Sequence, residues 1–122
     1  MKEIKKLLKL PKLDYYETHL SIINCILPVK MTPTEIKVMA AFMSLEGDIA
    51  QYRFGPSAKK LIMNQLNLSP AGLSNYITSL MKKGFLTKTG DMIKIYEILM
   101  PEKTEQLYLF KLQIIENGNS IA

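Results

Sequence analysis

Apolar positions along this chain repeat mostly at helical spacing, with a few short stretches at strand spacing. Leu13, Tyr16, Leu20, Ile23 and Leu27 step by three and four residues. That predicts a helix with one apolar face over 13–27, closed by Pro28. Ile36, Met39, Ala40 and Met43, widened by Phe42 and Leu45, predict a second helix over 33–46. Thr32-Pro33-Thr34-Glu35 signals its start: Thr32 caps, Pro33 suits the first position, and Glu35 closes a capping box. Glu46-Gly47-Asp48 stops it. Ala50, Tyr52 and Phe54 alternate with Gln51 and Arg53, which predicts a short strand over 49–54.

Gly55-Pro56-Ser57 opens a third long helix with Ala58, Leu61, Ile62 and Leu66 inward, ending near Asn67, a residue that tolerates a left-handed C-terminal position. Ser69-Pro70 opens another only a few residues later, with Leu73, Tyr76, Ile77 and Leu80 as its apolar stripe. Gly84 after Lys82-Lys83 closes it. Phe85–Lys88 and Met92–Leu99 then read as a hairpin turning at Thr89-Gly90-Asp91. Gln106–Glu116 reads as a strand, although Leu109, Leu112 and Ile115 also suit a helix; the tail from Asn117 is polar and reads as frayed. The first dozen residues form a basic arm, helical or mobile, broken by Pro11. The expected fold class is mainly α with a small antiparallel β element.

With 122 residues, 48% of them apolar, the chain has the size of one domain around one core. We divide it into an arm and N-terminal helix at 1–31, a core at 32–100 and a C-terminal extension at 101–122. No apolar run approaches the ~18–20 residues of a membrane span, and the Lys/Leu mixture before Lys12 is not a signal peptide. A single cysteine, Cys25, forms no internal disulfide and suits a reducing, cytoplasmic compartment.

Catalytic chemistry is not visible. His19 lacks the partners of a zinc site or a nucleophile pair and reads as a surface or half-buried histidine. Cys25 reads as a small core filler. The glycines at 47, 55, 72, 84, 90 and 118 fit neither a dinucleotide loop nor a P-loop, and Glu46 and Asp48 read as solvated charges at a helix end. The expectation is therefore no enzyme, no cofactor, no metal, no small-molecule substrate and no membrane partner.

Charge changes the picture. Sixteen basic residues stand against eleven acidic ones. From Ile49 through Gly90 there is no Asp or Glu, while Arg53, Lys59, Lys60, Lys82, Lys83 and Lys88 fall within that stretch. Such a segment is either a solvated lysine surface or the electrostatic footprint of a polyanion.

Two helices joined by about three residues must cross steeply, and a hairpin directly after the second adds a wing. The sequence from Thr32 to Leu99 thus resembles the winged helix-turn-helix family of DNA-binding domains. Leu68-Ser69-Pro70-Ala71-Gly72-Leu73-Ser74-Asn75-Tyr76-Ile77-Thr78-Ser79-Leu80-Met81-Lys82-Lys83-Gly84-Phe85-Leu86 carries most of the likeness. It looks like the recognition helix of bacterial and phage regulators and of replication-initiator N-domains. The resemblance implies a transcriptional regulator or replication-associated factor of a bacterium, phage or mobile element. Helix 69–83 would dock in the major groove of double-stranded DNA, with hairpin 85–99 as the wing.

The residues agree with this. With the apolar stripe inward, Pro70, Ala71, Ser74, Asn75, Thr78 and Lys82 face outward, small, uncharged or basic. Such a face can enter a groove about 12 Å wide, and Asn75 can pair with an adenine edge. The candidate DNA-binding set is Lys59, Lys60, Ser69, Ala71, Ser74, Asn75, Thr78, Lys82 and Lys88. Arginine, the usual guanine reader, occurs only as Arg53, before the helix pair, and the short wing tip carries Asp91. Modest affinity from one unit points to a homodimer, with Leu13, Tyr16, Leu20 and Ile23 as its surface unless that face covers the domain's own core. The runner-up is a winged protein–protein module in a larger viral or replication assembly.

Overall fold

Local capping chemistry starts the two helices whose signals were strongest. At Thr32 the hydroxyl accepts from the Glu35 N–H (3.2 Å), and the Glu35 carboxylate accepts in return from the Thr32 N–H (2.7 Å). At Ser69 the hydroxyl accepts from the Gly72 N–H (3.0 Å), with Pro70 at the first helical position. In this computed structural model, which describes residues 1–116, the element order is α1 (Lys12–Asn24), α2 (Pro33–Met43), α3 (Asp48–Gln51), α4 (Pro56–Leu66), α5 (Pro70–Lys82), β1 (Leu86–Thr89) and β2 (Met92–Ile95). A 3-10 turn, Glu97–Leu99, follows. The chain is mainly helical with one two-stranded antiparallel sheet. No helix of the described residues is long and apolar enough to cross a membrane.

One core serves the whole fold. Leu20 of α1, Val38, Met39 and Phe42 of α2, Ile62 of α4, Leu80 of α5, Leu86 of β1 and Leu99 are fully enclosed together. The apolar face of α1 packs on α2, so Tyr16 and Leu20 belong to this core and are not a free dimer surface. Leu61, expected inside, is largely exposed.

Two helix ends and one expected strand differ from the sequence expectation, each because of contacts made outside the segment concerned. Helix α1 stops at Asn24 rather than Leu27. The Asn24 amide clasps both backbone groups of Met31, and the Lys30 ammonium donates to the carbonyls of Asn24 and Cys25 (both 2.8 Å). Helix α2 stops at Met43 rather than 46. The Arg53 guanidinium donates to the Phe42 and Met43 carbonyls (2.6 and 3.1 Å) at the end of the last turn. The strand expected over 49–54 is not formed. Asp48–Gln51 is a single helical turn, and Phe54 stacks on Phe42 with ring centroids 4.5 Å apart. An isolated alternating stretch has no neighbouring strand to pair with, so packing decides its conformation.

Helix α4 ends as expected, with Asn67 left-handed (φ +54°) and the Leu68 N–H returning to Met63 (2.9 Å). Helix α5 ends in a Schellman motif. Gly84 takes φ +83°, its N–H bonds to Met81, and the Phe85 N–H bonds to Leu80 (both 3.0 Å). The hairpin pairs Leu86 with Ile95 through Thr89 with Met92, leaving Gly90 (φ +62°) and Asp91 in the turn. Strand β2 ends at Ile95, short of Leu99, because Glu97–Leu99 turns back to bury Leu99 in the core.

The C-terminal extension returns across α1. The Tyr15 hydroxyl donates to the Glu102 carbonyl (2.7 Å). His19, expected at the surface or half-buried, is 4% exposed. Its Nε2–H donates to the Leu99 carbonyl (2.9 Å), which fixes Nδ1 as the acceptor facing the Tyr108 hydroxyl. Cys25, expected as a core filler, is exposed at the end of α1. Residues 106–115 form neither the expected strand nor a helix. Residues 1–10 are likewise without helix, and exposed. The tail from Asn117 lies outside the described residues.

Burial lowers the pKa of His19, partly opposed by its bond to the Leu99 carbonyl, and burial raises that of Tyr108 to about 12. The unfolded chain therefore protonates this histidine more readily than the folded one. Its contribution to stability is full above the ordinary histidine value and declines as pH falls below it. We expect hydrogen exchange at Leu99–Tyr108, corrected for intrinsic rates, to be faster at about pH 5 than at about pH 8. Equal protection at the two pH values removes His19 as the tie.

Candidate nucleic-acid interface

Five of the residues expected to meet DNA, Ala71, Ser74, Asn75, Thr78 and Lys82, share one side of α5. Helical periodicity turns Leu73, Ile77 and Leu80 into the core, at 2%, 6% and 0% exposure. The same periodicity leaves Ala71, Ser74, Asn75, Thr78 and Lys82 exposed on the opposite side. Among the described residues, the side chains of Ser74, Asn75 and Thr78 make no hydrogen bond to the protein. All three residues are exposed. Three residues, Asn67-Leu68-Ser69, separate α4 from α5, so Lys59 and Lys60 of α4 belong to the same helix pair. Lys60 and Lys88 are exposed, and Lys59 is half-buried.

The N-terminus of α5 offers few backbone donors. Pro70 has no N–H, and Ser69 takes the Gly72 donor for itself, so Ala71 supplies the free backbone N–H of the first turn.

The structure also separates working cations from free ones. Of the six basic residues between Ile49 and Gly90, Arg53 caps α2 and Lys83 is held internally. Lys59, Lys60, Lys82 and Lys88 form no ion pair among the described residues. In the hairpin, Lys94 stands opposite Thr87 and is exposed, a further cation outside the set expected from the sequence; the strand register places it there. Lys12 pairs with Glu46, which the sequence reading had left as a solvated charge.

A buried polar cluster fixes α5 against α2. The Glu35 carboxylate is 2% exposed. Besides the Thr32 N–H, it accepts from the Ser79 hydroxyl (2.6 Å) and the Lys83 ammonium (2.6 Å), and Lys83 also donates to the Lys30 carbonyl (3.0 Å). These bonds tie the start of α2 to the end of α5, 44 and 48 residues apart in sequence. They hold α5 against α2. Period alone sets Lys82 on the outer face, but the partners of Lys83 lie 48 and 53 residues away in sequence. Only the fold shows that Lys83 turns inward.

No protein-family model, curated protein or solved structure matches this chain.

Proposed function

We propose that this protein binds double-stranded DNA as a winged helix-turn-helix domain, with α5 in the major groove and the β1–β2 hairpin as the wing. The observation that carries this is the α5 surface. A small polar face carrying Lys82, whose Ser74, Asn75 and Thr78 have no hydrogen-bond partner among the described residues, lies in a stretch of 42 residues free of carboxylates. A helix about 10–12 Å across fits a groove of about 12 Å when its outer side chains are short, as Ala71, Ser74 and Thr78 are. Asn75, one turn into α5, is placed to pair with an adenine edge, and the lysines on either side reach phosphates. No catalytic step is involved. The role is that of a cytoplasmic transcriptional regulator or replication-associated factor of a bacterium, phage or mobile element.

Lysine contacts to phosphate release counterions, so they have a thermodynamic signature. Removing Lys60, Lys82 or Lys88 by substitution with Ala is expected to lower the slope of log affinity against log salt by about one each. Lys59, half-buried on α4, is expected to give less. The measurement is fluorescence anisotropy of a labelled duplex over a salt series. Variants that keep the parental slope would remove these lysines from the interface.

A further inference from the structure

Beyond Tyr108 the chain carries a segment the rest of the fold does not use. Residues 109–115, Leu-Phe-Lys-Leu-Gln-Ile-Ile, are rich in strand-forming types. Among the described residues none of them makes a backbone–backbone hydrogen bond. Their large side chains face solvent, Leu109 at 87% and Leu112 at 96% exposure. A row of N–H and C=O groups without backbone partners among the described residues, beside exposed aliphatic side chains, is a template for another strand.

The order of polar and apolar residues says which strand. Read outward from Leu112, the segment is symmetric: polar Lys111 and Gln113, then apolar Phe110 and Ile114, then apolar Leu109 and Ile115. In an antiparallel pair related by a two-fold axis, facing side chains lie on the same side of the ribbon. Facing residues in two identical strands must therefore be both odd or both even in number. Among such registers, the one centred on Leu112 sets Leu112 against Leu112, Lys111 against Gln113, Phe110 against Ile114 and Leu109 against Ile115. Every apolar side chain meets an apolar one and every polar a polar one. Centring on Lys111 sets two ammonium groups face to face. Centring on Gln113 sets Lys111 against Ile115 and Phe110 against Glu116.

We infer that residues 109–115 pair antiparallel with the same residues of a second copy of this chain, about a two-fold axis at Leu112. The hydrogen bonds that join His19 with Leu99 and Tyr108, and Tyr15 with Glu102, hold the approach to this segment on α1, so the pairing strand starts from a fixed point. The self-association needs no DNA and is read without it, so it stands or falls separately from the proposed function.

Sedimentation equilibrium of the full chain over a concentration series tests it. The parent is expected to dimerise. Leu112→Lys, which sets two cations face to face, is expected to weaken association about tenfold or more with an unchanged helical circular dichroism spectrum. Gln113→Glu, placing a carboxylate opposite the second copy's lysine at 111, is expected to tighten it; Gln113→Lys is expected to loosen it. In a Cys25→Ser background, Leu112→Cys is expected to cross-link on mild oxidation and Leu109→Cys is not. A parent that stays monomeric at every concentration overturns the inference. So does a dimer indifferent to these substitutions, or one in which Leu109→Cys cross-links as readily as Leu112→Cys.

Discussion

Replacing Lys83 with Ala is expected to lower the stability of the fold by about 3 kcal/mol, measured by urea denaturation. The Glu35 carboxylate is buried and accepts three hydrogen bonds, of which the one from Lys83 brings the only positive charge. Removing one partner of a buried pair leaves the other charge desolvated and uncompensated. That usually costs about 3–5 kcal/mol. The Lys83 side chain is 25% exposed, so water can partly replace it, and the lower end of that range applies. The neighbouring exposed Lys82→Ala is expected to stay within about 0.5 kcal/mol of the parent. If the two variants unfold together, Lys83 does not hold Glu35. The same cluster sets an acid limit. Burial pushes the Glu35 pKa up, but the bonds from Lys83, Ser79 and the Thr32 N–H, with the Lys83 charge, bring it down from 4.5 to about 2. A carboxyl depressed in the folded state stabilises fully above its unfolded value, and that stabilisation is lost as pH falls toward 2. In Lys83→Ala the carboxyl loses its strongest opposing partner, so the acid transition is expected to move to higher pH.

Leu73→Ala and Asn75→Ala are expected to have opposite consequences, although two residues apart on one helix. Leu73 is 2% exposed in the core, and its truncation is expected to cost about 2–5 kcal/mol of stability through the cavity left behind. DNA affinity per folded molecule is expected to hold. Asn75 is exposed, and its truncation is expected to leave the unfolding midpoint nearly unchanged. It is expected to cost about 1–3 kcal/mol of affinity for a preferred site and little for random DNA. Paired denaturation and duplex titrations of the two variants decide this. An Asn75→Ala protein that unfolds earlier yet binds DNA like its parent inverts the assignment of the two faces of α5.

What was legible in the sequence follows the range of the interactions responsible. Thr32 with Glu35, and Ser69 with Gly72, act across three residues, so the starts of α2 and α5 could be read directly. The inward stripe of α5 follows from period alone. Asn67 and Gly84 ended their helices as their types suggest, since each relieves left-handed strain locally. The ends of α1 and α2 were misjudged because Lys30 and Arg53 arrive from loops to take the terminal carbonyls. The alternation at 49–54 imitated a strand where no second strand lies alongside. Of the candidate site, exposure of the α5 face was readable. Which cations remain free was not, because Lys83 and Arg53 are claimed by partners 48 and 11 residues away. His19 looked peripheral because Leu99 and Tyr108, which enclose it, lie 80 and 89 residues further on.

DNA binding itself is tested most directly by titrating the full chain against a generic duplex at a low and a physiological salt concentration. We expect clear binding at low salt that weakens steeply on raising it, as contacts to several phosphates require. No binding even at low salt would exclude α5 as a groove-docking helix and favour a docking role within a larger assembly.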